Sequence, residues 1–269
     1  MSKTILITGA TDGIGFETAK VLRATGHSVL LHGRSAAKLD AARATVAAVD
    51  GGGRIATYQA DLSSIAATRR LADEIRRAEP DLDVLINNAG VFSIAKPMTG
   101  DGLDVRFVVN TIAPYVLASE LAFHIGMGGR IVNLSSAAQG PVSLAALAGE
   151  ERLSDNDAYV QSKLALTMWS RHMADEFADA GPAVIAVNPG SLLGSKMVKE
   201  AYGMDGKDLG IGADILRRAA VSPEFGHASG RYFDNDSGQL RNPHPDALDP
   251  SLNAALVAAI DDILRRVSA

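Results

Sequence analysis

Short β-rich runs alternate with longer segments of helical periodicity from the first residues of this 269-residue chain onward, and no other feature restricts its fold as strongly. The β-rich runs fall at 4–8, 28–32, 54–59, 84–87, 130–134 and 184–188, and the helical segments between them at 13–25, 36–49, 65–78, 102–125 and 158–180. Such alternation builds βαβ units, whose crossovers lay successive strands parallel. Gly26, Gly51-Gly52-Gly53, Pro80 and Gly181-Pro182 fall between the elements, where a helix or strand has to stop. No long linker or internal repeat intervenes. The pattern predicts one doubly wound α/β domain over residues 1–269, with a parallel sheet of about six or seven strands and helices on both faces. The tail, from Gly230 through Asp234-Asn235-Asp236 to a helix at 252–267, adds an edge strand and a covering helix.

Two connections break the rhythm. Residues 137–157 and 191–220 are longer than usual loops, and both leave the carboxyl ends of strands, where open α/β sheets bind ligands. They are expected to form a pocket insertion and a lid, with Val142, Leu144, Leu147, Leu192 and Leu193 lining an apolar site and Met197 and Met204 in the lid.

Composition narrows the function. A net charge of −5 argues against nucleic-acid affinity, which needs a concentrated basic face. The absence of cysteine excludes disulfides and thiolate metal sites, and the six histidines show no ligand-pair spacing, so no metal is expected. The run Ile5-Leu6-Ile7 is too short for a signal segment, and no later stretch reads as the roughly 18 apolar residues of a spanning helix. A soluble cytoplasmic protein is the expectation.

Thr8-Gly9-Ala10-Thr11-Asp12-Gly13-Ile14-Gly15 follows the first strand and opens the first helix. Glycines at such a junction let the backbone approach a pyrophosphate, whose charge then meets free amides and the positive end of the helix. After the second strand stands Gly33-Arg34-Ser35, where dinucleotide folds often carry an acid for the adenosine ribose. A guanidinium there pairs with a 2′-phosphate and favours NADP(H), with NAD(H) as the alternative. Further along, Tyr159 and Lys163 lie four residues apart, a little over one helical turn, so both project from one face. A phenol titrates near ~10, and bringing it to about 7 takes roughly 4 kcal/mol of differential stabilisation. The lysine supplies part of that, and an oxidised nicotinamide ring is a natural second cation.

Assembled, these residues resemble the short-chain dehydrogenase/reductase family over essentially the whole chain. Gly9, Gly13 and Gly15 resemble its cofactor motif, Asp61-Leu62 its adenine-contacting pair, and Asn87-Asn88-Ala89-Gly90 its central-strand signature. Asn110, Ser136, Tyr159 and Lys163 stand where the family has its catalytic tetrad. The resemblance implies a Rossmann-type fold that binds NAD(P). Its cofactor contacts would include Gly9, Thr11, Asp12, Gly13, Ile14, Gly15, Arg34, Asp61, Leu62, Asn88, Ala89, Gly90, Tyr159, Lys163, Pro189, Gly190 and Leu192. It implies hydride transfer between an alcohol and a carbonyl compound, with Tyr159 as proton donor, Ser136 as polariser and Asn110 keeping a water that relays protons from Lys163. It also implies a homodimer or homotetramer built on the fourth and fifth helices.

There are departures. The Ser136-to-Tyr159 interval is longer than in many members and resembles the retinol dehydrogenase-like and protochlorophyllide reductase-like branches; it leaves Ser135 as an alternative to Ser136. Where the family often has a threonine after Asn188-Pro189-Gly190, this chain has Gly194, and Ser195 replaces that hydroxyl only after a one-residue shift. Epimerisation, reduction of a carbon–carbon double bond, and nucleotide sensing without turnover remain alternatives, although a sensor needs no proton donor.

Overall fold

Ile5, Leu6 and Ile7 are wholly buried, as a strand covered on both faces requires. In the computed structural model, which describes residues 2–178 and 180–268, they belong to β1 (Thr4–Ile7) of an eight-stranded sheet. The other strands are β2 (Ser28–Gly33), β3 (Ile55–Gln59), β4 (Leu82–Asn87), β5 (Arg130–Leu134), β6 (Ala183–Asn188), β7 (Tyr232–Asp234) and β8 (Gln239–Arg241). Their order is β3-β2-β1-β4-β5-β6-β7-β8, parallel throughout except for the last pair. The order reverses between β1 and β4, leaving a crevice at their carboxyl ends.

Alternation along the strands divides the core in two. Leu6, Leu30, Leu85 and Ile131 join one apolar cluster, while their neighbours Ile5, Ile7, Leu31, Ile86 and Val132 join the other. Helices α1 (Gly13–Ala24) and α2 (Ala36–Ala47) cover the second; α3 (Ile65–Ala78), α4 (Val105–Ile125) and α5 (Asp155–Phe177) cover the first. Side-chain caps set where several of them start: the side chains of Asp12, Ser35, Ser64 and Ser154 accept backbone N–H groups at the starts of α1, α2, α3 and α5. Asp179, inside the expected fifth helix, lies outside the described residues.

Four differences from the sequence pattern have physical causes. The sheet gains an eighth strand because Asp234 to Gly238, with Gly238 at φ +69°, turns the chain back on itself as a hairpin. The 191–220 segment, expected as a lid, is partly core. Its first half holds the short helix α6 (Lys196–Tyr202), but its second half is α7 (Leu209–Val221), whose Ile215, Leu216, Ala219 and Ala220 are buried in the α1/α2 face of the core. The 137–157 insertion does not line the pocket beyond its first two residues. Leu147 is fully buried and Val142 packs against the same core cluster, while Leu144 is exposed. Finally, α4 is long and apolar enough to cross a membrane, with a mean hydropathy of 1.3 over its best window, but 72% of that window is buried within the protein. The helix spends its apolar residues on the core, and the scattered polar ones hide its length in the sequence.

The C-terminal helix α8 (Pro250–Ser268) packs along α5 and buries Leu256, Val257, Ile260 and Ile263. Tyr115 on α4 donates to Asp261 on α8 at 3.1 Å. The helix therefore lies across the α4/α5 side, which the family resemblance assigns to subunit contact.

Candidate active site

A cavity of about 1520 Å³ opens at the switch point and runs from the β1–α1 turn to the start of α6. Its floor depends on glycine. Gly9 has φ +65°, and a Cβ there would stand 3.0 Å from the Ala89 Cα; at Gly15 it would stand 2.3 Å from Asn88 Nδ2. The turn is tied to β4 by Thr8, whose Oγ1 accepts from the Asn88 and Ala89 N–H groups at 3.0 Å each, and by Asn88 Nδ2, which donates to the Thr8 carbonyl at 2.8 Å. At Gly13 the nearest heavy atom to an added Cβ would be 3.9 Å away, so the space above the turn is open where a pyrophosphate would lie against the α1 N-terminus. The cradle thus fits a dinucleotide.

His32 braces the same turn from β2. Its Nδ1 accepts from the Gly9 N–H at 3.3 Å and its Nε2 faces the Ala60 carbonyl at 3.1 Å, an arrangement that needs the neutral ring with the proton on Nε2. Burial pushes its pKa down to about 4. Beyond it, the exposed side chains of Arg34 and Lys38 line the cavity, and neither is paired with a carboxylate among the described residues. Asp61 and Leu62 complete this end.

At the other end Ser136, Tyr159 and Lys163 share the wall. Lys163 is buried; its Nζ donates to the Leu134 carbonyl at 2.7 Å and lies 5.8 Å from the centroid of the Tyr159 ring. Burial pushes this ammonium down to about 8. Phe92 meets the Tyr159 ring edge-on, with centroids 5.0 Å apart. The two serines differ in their surroundings. Ser135 is buried and shares a 2.7 Å hydrogen bond with the Thr167 hydroxyl, whereas Ser136 is half-buried and its Oγ accepts from the Ala138 N–H at 3.1 Å, leaving its own O–H to donate.

Asn110 stands behind the wall, fully buried. Its Oδ1 accepts from the Val91 N–H at 2.8 Å, and its Nδ2 donates to the Val91 carbonyl and to Ser162 Oγ, both at 2.9 Å. It lies in a π-helical turn, Val108–Ile112, within α4. Pro114, four residues on, has no N–H, so the Asn110 carbonyl lacks its α-helical donor.

The expected cofactor contacts all line the cavity except Gly15, which instead lets α1 pack on Asn88. The threonine expected after Asn188-Pro189-Gly190 has no room at Gly194, where a Cβ would stand 2.6 Å from the Asp205 carbonyl; Ser195 lines the cavity and caps α6 through Val198 N–H. Leu192, Leu193 and Met197 are on the wall, whereas Val142, Leu144, Leu147 and Met204 are not. Sequence reasoning missed four contributors. Lys38 is signalled by its four-residue spacing from Arg34 at the start of a helix, but Val91, Phe92 and Ile94 sit in an irregular loop that carries no local signal.

Dinucleotide-dependent enzymes lay the phosphate and redox ends of their cofactor along a switch-point crevice of this kind, and the cavity places the protein in that class. Comparison with known proteins narrows it. The short chain dehydrogenase family model matches residues 3–205. Retinol dehydrogenase 12 of Mus musculus is 31% identical over 244 residues, covering 86% of this chain and 77% of its own length. Among solved structures, an uncharacterized protein from Mycobacterium Paratuberculosis matches with a TM-score of 0.81 at 26% identity, over 98% of this chain and 93% of that one. A short chain dehydrogenase from Burkholderia cenocepacia J2315, in complex with NADP, matches with a TM-score of 0.67 at 29% identity, over 86% and 95%. The chain belongs to the short-chain dehydrogenase/reductase family, on its retinol dehydrogenase-like branch, and is an oxidoreductase of the CH–OH/C=O couple.

Proposed function

We propose that this protein reduces an apolar carbonyl compound to an alcohol with NADPH, NADH binding more weakly. One observation carries the reading: Ser136, Tyr159 and Lys163 share a cavity with two cations, Arg34 and Lys38, at its other end. The cofactor, when bound, supplies the hydride. The N-terminus of α1 at Gly13-Ile14, with Thr11 beside it on the cavity wall, would hold its phosphates, and Arg34 with Lys38 would pair with a 2′-phosphate, which an acid at either position would repel. Lys163 would bind the nicotinamide ribose.

Tyr159 donates a proton to the substrate oxygen as negative charge develops there, and the Ser136 hydroxyl hydrogen-bonds the same oxygen. Lys163 stabilises the phenolate left behind, since a cation beside a phenol favours its ionised form. The Asn110 carbonyl, deprived of a helical donor by Pro114, holds the water through which Lys163 exchanges protons with solvent. Val91, Phe92, Ile94, Leu192, Leu193 and Met197 give the wall an apolar character that suits a hydrophobic substrate.

Titration with NADPH and NADH, followed by nicotinamide fluorescence, tests the cofactor reading. Arg34→Ala is expected to weaken NADPH binding at least tenfold and leave NADH nearly unchanged; unchanged NADPH affinity would remove Arg34 as the selector.

A further inference from the structure

The β7–β8 hairpin lies at the far edge of the sheet, yet its turn grips the segment that carries the cavity wall away from β6. The Asp236 carboxylate accepts three hydrogen bonds: from the Ser191 N–H at 2.9 Å, the Ser191 hydroxyl at 2.5 Å and Asn188 Nδ2 at 2.9 Å. Asp234 accepts from the same Asn188 amide at 2.8 Å, and Asn235 donates through Nδ2 to the Pro189 carbonyl at 2.9 Å and through its N–H to the Asn188 carbonyl at 3.2 Å. Burial alone would raise the Asp236 pKa, but the Ser191 and Asn188 hydrogen bonds and the nearby Lys207 outweigh it and hold the carboxyl below the usual range.

Directly after this clamped segment comes Leu192 at φ +57°, a left-handed conformation that is costly for leucine. Beyond Leu192 the chain forms a flap, closed on itself by Gly194 N–H to the Lys207 carbonyl and Lys207 N–H to the Leu192 carbonyl, each at 2.7 Å, and the flap contributes Leu193, Ser195 and Met197 to the cavity. A strained residue persists only where its surroundings over-determine it. Here the fixed side of Leu192 is Ser191, and what fixes Ser191 is Asp236.

We propose that Asp236 is a positioning residue for the active site: by anchoring Ser191 it holds Leu192 in its left-handed conformation and seats the flap over the cavity. The proposal rests on the reductase reading for its kinetic consequence only; its structural consequence is independent of turnover. Asp236→Asn keeps the size of the side chain but cannot accept from all three donors, because one face of the amide is itself a donor.

The test compares the parent protein with Asp236→Asn and Ser191→Ala, the second removing the hydroxyl contact from the other side, by hydrogen exchange of the 192–198 amides and by NADPH titration, with steady-state kinetics on any carbonyl substrate found. In at least one folded variant, exchange across 192–198 is expected to speed at least tenfold and the NADPH Kd to rise at least fivefold. With a substrate in hand, KM should rise while kcat stays within about threefold and the pH profile of kcat does not move. Exchange across 192–198 unchanged in the folded variants would overturn the proposal, as would faster exchange confined to residues 234–238. If no carbonyl compound is turned over by the parent, the reductase reading fails while the exchange and NADPH results still decide the role of Asp236.

Discussion

Lys163 Nζ and the Leu134 carbonyl are joined by a 2.7 Å hydrogen bond, which pins the cation of α5 to the end of β5, two residues before Ser136. A strand end and a helix face thereby set the relative positions of hydroxyl, phenol and ammonium. The ammonium is buried without a carboxylate partner among the described residues, so its charge is costly, and burial has lowered its pKa to about 8. Such a group is retained for function rather than for stability.

Replacing it separates the two. Lys163→Met preserves length and removes the buried charge, so stability to urea is expected to stay within about 1 kcal/mol of the parent. Turnover should fall by roughly 10² to 10⁴, the usual contribution of a positioned proton-transfer group. Turnover within tenfold of the parent would contradict the role given to the lysine.

The His32 brace predicts a pH dependence of stability. Its folded pKa of about 4 lies below the unfolded value of 6.5, so between those two the unfolded chain binds a proton that the folded protein does not. The stabilisation is complete above pH 6.5 and is lost as pH falls toward 4, at up to about 1.4 kcal/mol per pH unit. Urea unfolding of the parent and of His32→Asn at pH 7.0 and 5.0 checks this. The advantage of the parent should shrink at the lower pH; an advantage equal at both would show that the ring does not titrate in this window.

The position of α8 predicts the state of association. With Leu256, Val257, Ile260 and Ile263 packed in the core and Tyr115 bonded to Asp261, the chain's own last helix covers α5 and the part of α4 around Tyr115, while Phe123 near the end of α4 stays exposed. Sedimentation equilibrium at micromolar concentration is expected to give a monomer, in place of the dimer or tetramer that the family resemblance implies. A dimer that persists on dilution would show that the chain pairs by another face or displaces α8.

The fold was largely legible because its signals are local. Ile5-Leu6-Ile7 can be wholly buried only in a covered strand, and Gly9, Gly13 and Gly15 mark a turn in which two positions have no room for a side chain and Gly13, at φ +58°, takes a backbone conformation that favours glycine. That Tyr159 and Lys163 face one cavity was legible for the same reason: they are one helical turn apart. What the sequence hid depends on tertiary contact. Val142 and Leu147 are apolar residues in a long connection, as Leu192 and Leu193 are, and only the fold decides that the first pair packs in the core beneath α8 while the second faces the cavity. Asn110 carries a motif position, but that its side chain would be consumed by Val91 and Ser162 could not be read from spacing. His32 and Asp236 act across 23 and 45 residues of sequence, on Gly9 and Ser191, and no periodicity reports such pairs.

The proposed reduction turns on Tyr159 delivering the proton to a carbonyl oxygen reduced at the expense of NADPH. The most direct measurement is the rate of NADPH oxidation dependent on an added apolar carbonyl compound, compared between the parent and Tyr159→Phe at equal saturation with NADPH. Loss of at least 10²-fold in rate with NADPH affinity within twofold is the predicted result. A Phe variant that turns over the same compound at the parent rate would contradict it.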